Sequence, residues 1–190
     1  MNGHSCFHIF LVVNSMKRNK PKYKQIIDAA VIAIAESGYH QAQVSKIAKQ
    51  AGIADGTIYL YFKNKEDILI SLFEEKMGVF VENLQQIIKD ENSASEKLGQ
   101  MVENHFRVLS NDHHLATVTQ LELRQSNKDI RLKINAVLKE YLKLLDQILV
   151  AGMVAGDKII AMVSIVLTKH QDVLLRQQQW LWHILNIRQA

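Results

Sequence analysis

Cysteine occurs once in the 190 residues, at Cys6, and proline once, at Pro21. A lone cysteine excludes an internal disulfide framework and a thiolate cluster for structural zinc. One proline and eight glycines, in a chain rich in Leu, Ile, Gln and Lys, leave helices largely uninterrupted and exclude collagen-like and repeat-rich classes. The apolar run Phe7 to Val13 has no charged leader before it and falls far short of the roughly 20 residues that span a bilayer. His4, Cys6 and His8 lie in the same stretch with no fourth ligand nearby, so no metal site is expected there. Met16, Lys17, Arg18, Asn19 and Lys20 read like a natural start, with residues 1–15 a disordered or spurious extension. The whole chain is 48% apolar and 22% charged, enough for one sizeable core or two small ones.

The charge is unevenly placed. Residues 16–67 carry nine Lys or Arg against five acids, while residues 68–190 carry fourteen of each sign. The whole excess of +4 therefore sits in a small N-terminal unit, the pattern of a polyanion-binding head on a neutral body.

Within that head, Ile26, Ile27, Ala30, Val31, Ile34 and Ala35 recur at helical spacing, which predicts a helix over 22–37 ended by Gly38. A second short helix is predicted over 44–50, with Val44, Ile47 and Ala48 inward. A turn at Ala51, Gly52 and Ile53 follows, and then a third helix over 55–62. Two helices joined by so short a Gly-containing turn make a helix-turn-helix. Gly56 leaves backbone uncovered, Thr57 offers a hydroxyl and a methyl, and Tyr59 and Tyr61 point to different sides, with Leu60 or Phe62 packing inward. Asn64 with Asp67 predicts the cap of a long helix over 65–89, whose first turn holds Lys65, a poor place for a cation unless an anion faces it.

The stretch VSKIAKQAGIADGTIYLYFKNKEDIL, residues 44–69, resembles the DNA-binding signature of the TetR family of bacterial repressors. The resemblance implies an all-α fold. An N-terminal three-helix helix-turn-helix domain, 16–67, would be joined by a long helix to a helical-bundle domain, 68–190, for ligand binding and dimerisation. It also implies a cytoplasmic homodimer on double-stranded operator DNA, with the helix from Asp55 and Gly56 in the major groove. Thr57, Tyr59, Tyr61, Lys63 and Lys65 would then touch mainly phosphate, and Ser45 and the basic arm at Lys22 the flanks. Residues 21–127, including VTQLELRQSN, are similar to those members that repress fatty-acid degradation and are released by long-chain acyl-CoA. In the mechanism this implies, ligand in the body moves the long helix and spreads the two heads.

In the body, Leu98, Met101, Val102, Phe106 and Leu109 predict the inward face of a helix over 96–110, with further helices over 115–124 and 128–152. Met101, Phe106, Leu109, Leu121 and Leu145 are candidates to line an acyl tunnel, although an apolar stripe at helical spacing is more often plain core. His105, Arg107, Arg124, Lys128, Arg131 and Lys133 can neutralise a CoA head group, with Arg124 foremost because it sits in an otherwise apolar turn. No cofactor, metal or membrane contact is expected. No enzyme constellation is present: His113 and His114 are adjacent and diverge on a helix, and Gly152 and Gly156 lack a phosphate-loop ending.

Residues 158–190 depart from the expected last two helices, suggesting either a frame change or a variant dimer contact built on Trp180 and Trp182. Two other readings stay open: a TetR-type repressor responding to another hydrophobic molecule, and a helical adaptor that binds no DNA.

Overall fold

The computed structural model describes residues 20–122, 125–158, 160 and 161. Among them are no strands and the helices α1 Pro21–Gln41, α2 Val44–Gln50, α3 Asp55–Ile58, α4 Lys65–Lys89, α5 Ala94–Asn111, α6 His113–Glu122 and α7 Lys128–Val154, with helical residues again at 158, 160 and 161. None of these is long and apolar enough to cross a membrane. The chain divides into two compact units at Leu72/Phe73. Ile68, Leu69 and Leu72 are wholly buried residues of the first unit.

In the first unit, Pro21 starts α1 where its missing N–H costs nothing. Tyr23, Ile26, Ile27, Ala30, Val31 and Ile34 are buried along it. Gly38 takes φ 73° and ψ 155°, a kink in place of the clean stop expected, and a further turn runs on to Gln41. Ile47, Ala48, Ile58 and Phe62 complete the core, and the Phe62 ring stacks on Tyr23 at 5.0 Å between centroids. The third helix is shorter than the predicted 55–62. After Ile58 the chain tightens, with Leu60 N–H donating to Thr57 O (3.2 Å) and Tyr61 N–H to Ile58 O (2.9 Å).

In the second unit, α5 opens on a reciprocal cap unnoticed in the sequence. Glu96 N–H donates to Ser93 Oγ (3.3 Å) and Ser93 N–H to Glu96 Oε2 (2.8 Å). The bonds from the Ser93 side chain and backbone hold the Glu96 carboxyl below its ordinary value.

The helix is turned by about one residue from the orientation the apolar pattern implies. Val102 and Phe106 are 47% and 69% exposed, while Met101 is buried and Asn104 and His105 are partly buried. Those two polar residues can face inward because each finds a partner there: Asn83 Nδ2 donates to Asn104 Oδ1 (3.3 Å), and His105 meets Tyr141. Val79 on α4 is exposed.

Along α7, Ile130, Ile134, Leu138, Tyr141, Leu142, Leu145, Ile148 and Leu149 form the buried face. Its end is a left-handed cap at Gly156, φ 72°, where Gly156 N–H donates to Met153 O and Asp157 N–H to Gly152 O. Asp157 then ties this end to α5 by accepting Ser95 Oγ–H at 2.6 Å. Gly152 is closely surrounded, unlike the other described glycines: a Cβ there would stand 2.6 Å from Ile160 Cγ1 and 2.8 Å from Ala94 Cβ.

Replacing Gly152 by Ala is expected to destabilise the second unit by about 1–3 kcal/mol, the usual cost of overpacking, read from urea unfolding. A second outcome concerns pH. Desolvation holds His105 below its ordinary 6.5, so the unfolded chain takes up the proton first. Stability is then full above pH 6.5 and falls as the pH drops below it. Melting curves between pH 7.5 and 5 are expected to show a smaller loss for His105→Gln than for the parent chain.

Candidate nucleic-acid interface and ligand site

The turn between α2 and α3 is a glycine-dependent reversal. Gly52 sits at φ +63°; its N–H donates to Lys49 O (3.1 Å) and Ile53 N–H to Ala48 O (3.0 Å). A side chain at this φ would be strained, which is why glycine stands here. Ala48 is wholly buried where the helices meet, and Ile53 is half-buried beside it. Gln25 Nε2 donates to Ala51 O (2.7 Å) and fixes the turn against α1.

With Ile58 and Phe62 inside, the remaining side chains of 55–63 are presented outward. Asp55, Gly56, Tyr59, Leu60 and Lys63 are exposed, and Thr57 and Tyr61 are half-exposed. Lys22 and Ser45 are exposed too, the Ser45 hydroxyl lying 3.5 Å from Gln43 Oε1. Lys46 is paired with Glu36 at 3.0 Å. Leu60, offered by the sequence as a possible inward residue, is 74% exposed, and Phe62 alone fills that role.

Lys65 has a different setting from the one expected. Its ammonium donates to Tyr39 O (2.9 Å) and His40 O (3.1 Å) and stands 4.6 Å from the centroid of the Tyr39 ring. The cation at the start of α4 is thus met by carbonyls at the end of α1, so an external phosphate is not needed to explain it. The cap beside it is close to the one predicted: Asp67 N–H donates to Asn64 Oδ1 (2.8 Å), while the Asp67 carboxylate accepts from Lys63 N–H (2.8 Å).

In the second unit His105 stands among aromatic rings, 5.1 Å from Phe80 and 6.3 Å from Tyr141 between centroids, with Tyr141 Oη 3.5 Å from His105 Nδ1. Burial pushes the Tyr141 phenol well above its ordinary value and holds His105 below its own. Met101 and Leu145 are buried and Leu109 is half-buried. Phe106 and Leu121 are 69% and 52% exposed, so they do not line an interior tunnel in this structure. Lys128 is exposed in the first turn of α7, and Arg131 Nη1 donates to Gln125 O (3.0 Å). Arg124 lies outside the described residues, as do Trp180, Trp182 and most of the 158–190 segment.

Sequence reasoning passed over Tyr141, hidden in an apolar stripe, and the buried pair Glu122 and Gln125. There Gln125 Nε2 donates to Glu122 Oε2 (2.8 Å), while Gln125 Oε1 has no hydrogen-bond partner among the described residues. The polar residues inside the LELRQSN turn were the available signal.

Comparison with known proteins agrees with this geometry. Residues 26–72 match the family described as bacterial regulatory proteins, tetR family, and residues 73–171 match the YsiA-like protein C-terminal region. The second match continues past Asp157, where the sequence was expected to depart from the pattern. The chain is 65% identical over 142 residues to the fatty acid metabolism regulator protein of Bacillus subtilis (strain 168), covering 75% of this chain and 73% of that one. It also resembles the crystal structure of the transcriptional regulator FadR from Bacillus subtilis in complex with stearoyl-CoA. That match has a TM-score of 0.68 and 51% identity, covering 85% of this chain and 93% of that one. The fatty acid degradation regulator FadR from Bacillus halodurans aligns with a TM-score of 0.67 and 63% identity, over 70% of this chain and 72% of that one. With a helix-turn-helix unit and a helical second unit each matched by its own profile, the chain belongs to the TetR family of bacterial regulatory proteins.

Proposed function

We propose that the chain is a homodimeric, DNA-binding repressor of fatty-acid degradation genes that leaves its operator when long-chain acyl-CoA binds the second unit. The observation that carries this reading is the 51% identity, over 93% of its length, to a FadR crystallised with stearoyl-CoA. Two heads on a dimer suit the half-sites of a palindrome spaced by one or more helical turns.

On each head, Lys22, Ser45, Thr57, Tyr59, Tyr61 and Lys63 present cations and hydroxyls to phosphates, and Asp55 and Gly56 open the helix that enters the groove. Lys65 acts first as a positioning residue, because its ammonium bonds to two carbonyls of the head.

For the ligand, Met101, Leu109, Leu145, Phe80 and Tyr141 supply apolar lining, and His105, whose burial disfavours its charged form, gives that lining a polar edge. Lys128, exposed in the first turn of α7, and Arg131 beside it supply the cations for the phosphates of the CoA head group, and Arg124 is a further candidate by its place in the sequence. Ligand bound here shifts α4 and with it the spacing of the heads. A coupling of about 1–3 kcal/mol, typical of such systems, weakens DNA binding roughly 5- to 150-fold.

A mobility-shift titration at fixed ionic strength, with palindromic duplexes and a series of acyl-CoA thioesters, tests this. Long-chain thioesters are expected to weaken operator binding by about tenfold or more, within the usual coupling range; unchanged affinity across the series refutes the effector assignment. Lys63→Ala is expected to lower affinity on every sequence and to reduce the slope of log K against log salt by about one. An unchanged slope would remove Lys63 from the phosphate contacts.

A further inference from the structure

We propose that Leu60 is a specificity-determining residue whose side chain reads the methyl group of a thymine in the major groove. The inference rests on the DNA-binding reading above and adds to it the one residue at the centre of the outward face that carries no polar group.

Ile58 and Phe62 are fixed inside the head, 0% and 1% exposed. Leu60 lies midway between them in a helical turn, two residues from each, and so projects to the opposite side. At 74% it is the most exposed large apolar residue described in the first unit. Gly56, four residues earlier on the same side, adds no side chain, and a Cβ built there meets nothing within 4 Å. The surface beside Leu60 is therefore bare backbone, over which a base edge can come close.

The residues around this centre have other chemistry. Thr57, Tyr59 and Tyr61 carry hydroxyls and Lys63 a cation, all able to engage phosphate, whereas Leu60 has nothing with which to bind an anion. The net +4 of residues 16–67 makes a polyanion the partner that fits this face. Within the major groove of such a partner, the apolar group on offer to a leucine is the thymine 5-methyl. A leucine at the centre thus discriminates by burying a methyl, and by leaving a base amino or carbonyl group unpaired where thymine is absent.

The test uses the full chain. Operators are selected from a randomised duplex library with the parent protein and with Leu60→Ala, a change at an exposed position whose melting curve is expected to match the parent. The parent is expected to select thymine at one position of each half-site. Replacing that thymine by deoxyuridine, which removes only the methyl, should weaken parent binding about fourfold, the worth of one buried methyl group. Leu60→Ala should bind the thymine and deoxyuridine duplexes alike and lose selectivity at that position alone. The proposal is overturned if deoxyuridine is tolerated at every thymine of the selected site, or if Leu60→Ala keeps the parent's thymine preference. A parent chain that selects no sequence would instead refute the operator-binding reading itself, and the Leu60 assignment with it.

Discussion

The outward face of the head exists because Ile58 and Phe62 are held inside it. Both are essentially inaccessible to water, and Phe62 is stacked on Tyr23 from α1. Two anchors at helical spacing fix the rotation of the intervening turn, so Thr57, Tyr59, Leu60 and Tyr61 have no freedom to exchange inside for outside. Losing either anchor would empty a large core volume, at about 2–5 kcal/mol, and would release that rotation as well. The reversal at Gly52 serves the same end. Its two backbone bonds and its positive φ bring α3 back against α2 at a set angle, with Ala48 small enough to let the backbones meet.

Much of the head could be read from the sequence because its signals are local. The bounds of α2 and α4, the turn at Gly52 and the Asn64 cap each depend on residues within one turn of each other. Where a residue's setting is not local, a longer-range partner decides it. Lys65 looked like a cation awaiting an anion; the carbonyls that satisfy it belong to Tyr39 and His40, more than twenty positions earlier. Leu60 was ambiguous because one of two neighbouring apolar residues had to face out, and periodicity alone does not choose over so short a segment.

The body was less legible for a related reason. Hydrophobic periodicity assigns apolar residues inward, and on α5 that gave Val102 and Phe106. The actual inward face includes Asn104 and His105, whose partners come from α4 and α7. Among the tunnel candidates, Met101 and Leu145 are buried while Phe106 and Leu121 are not, and Tyr141, silent in the sequence, stands beside His105. The Ser93–Glu96 cap, by contrast, was a local signal in plain view.

The near-contact of Gly152 with Ala94 and Ile160 reaches beyond stability. Ala94 and the pair Gly152 and Ile160, more than fifty positions later, share one small volume, so none of them can drift alone. A side chain at 152 would meet Ala94 and Ile160 at once, so it becomes admissible only if both neighbours give way together. Related chains should therefore show these positions changing in concert, a covariation imposed by space rather than by the molecule's task.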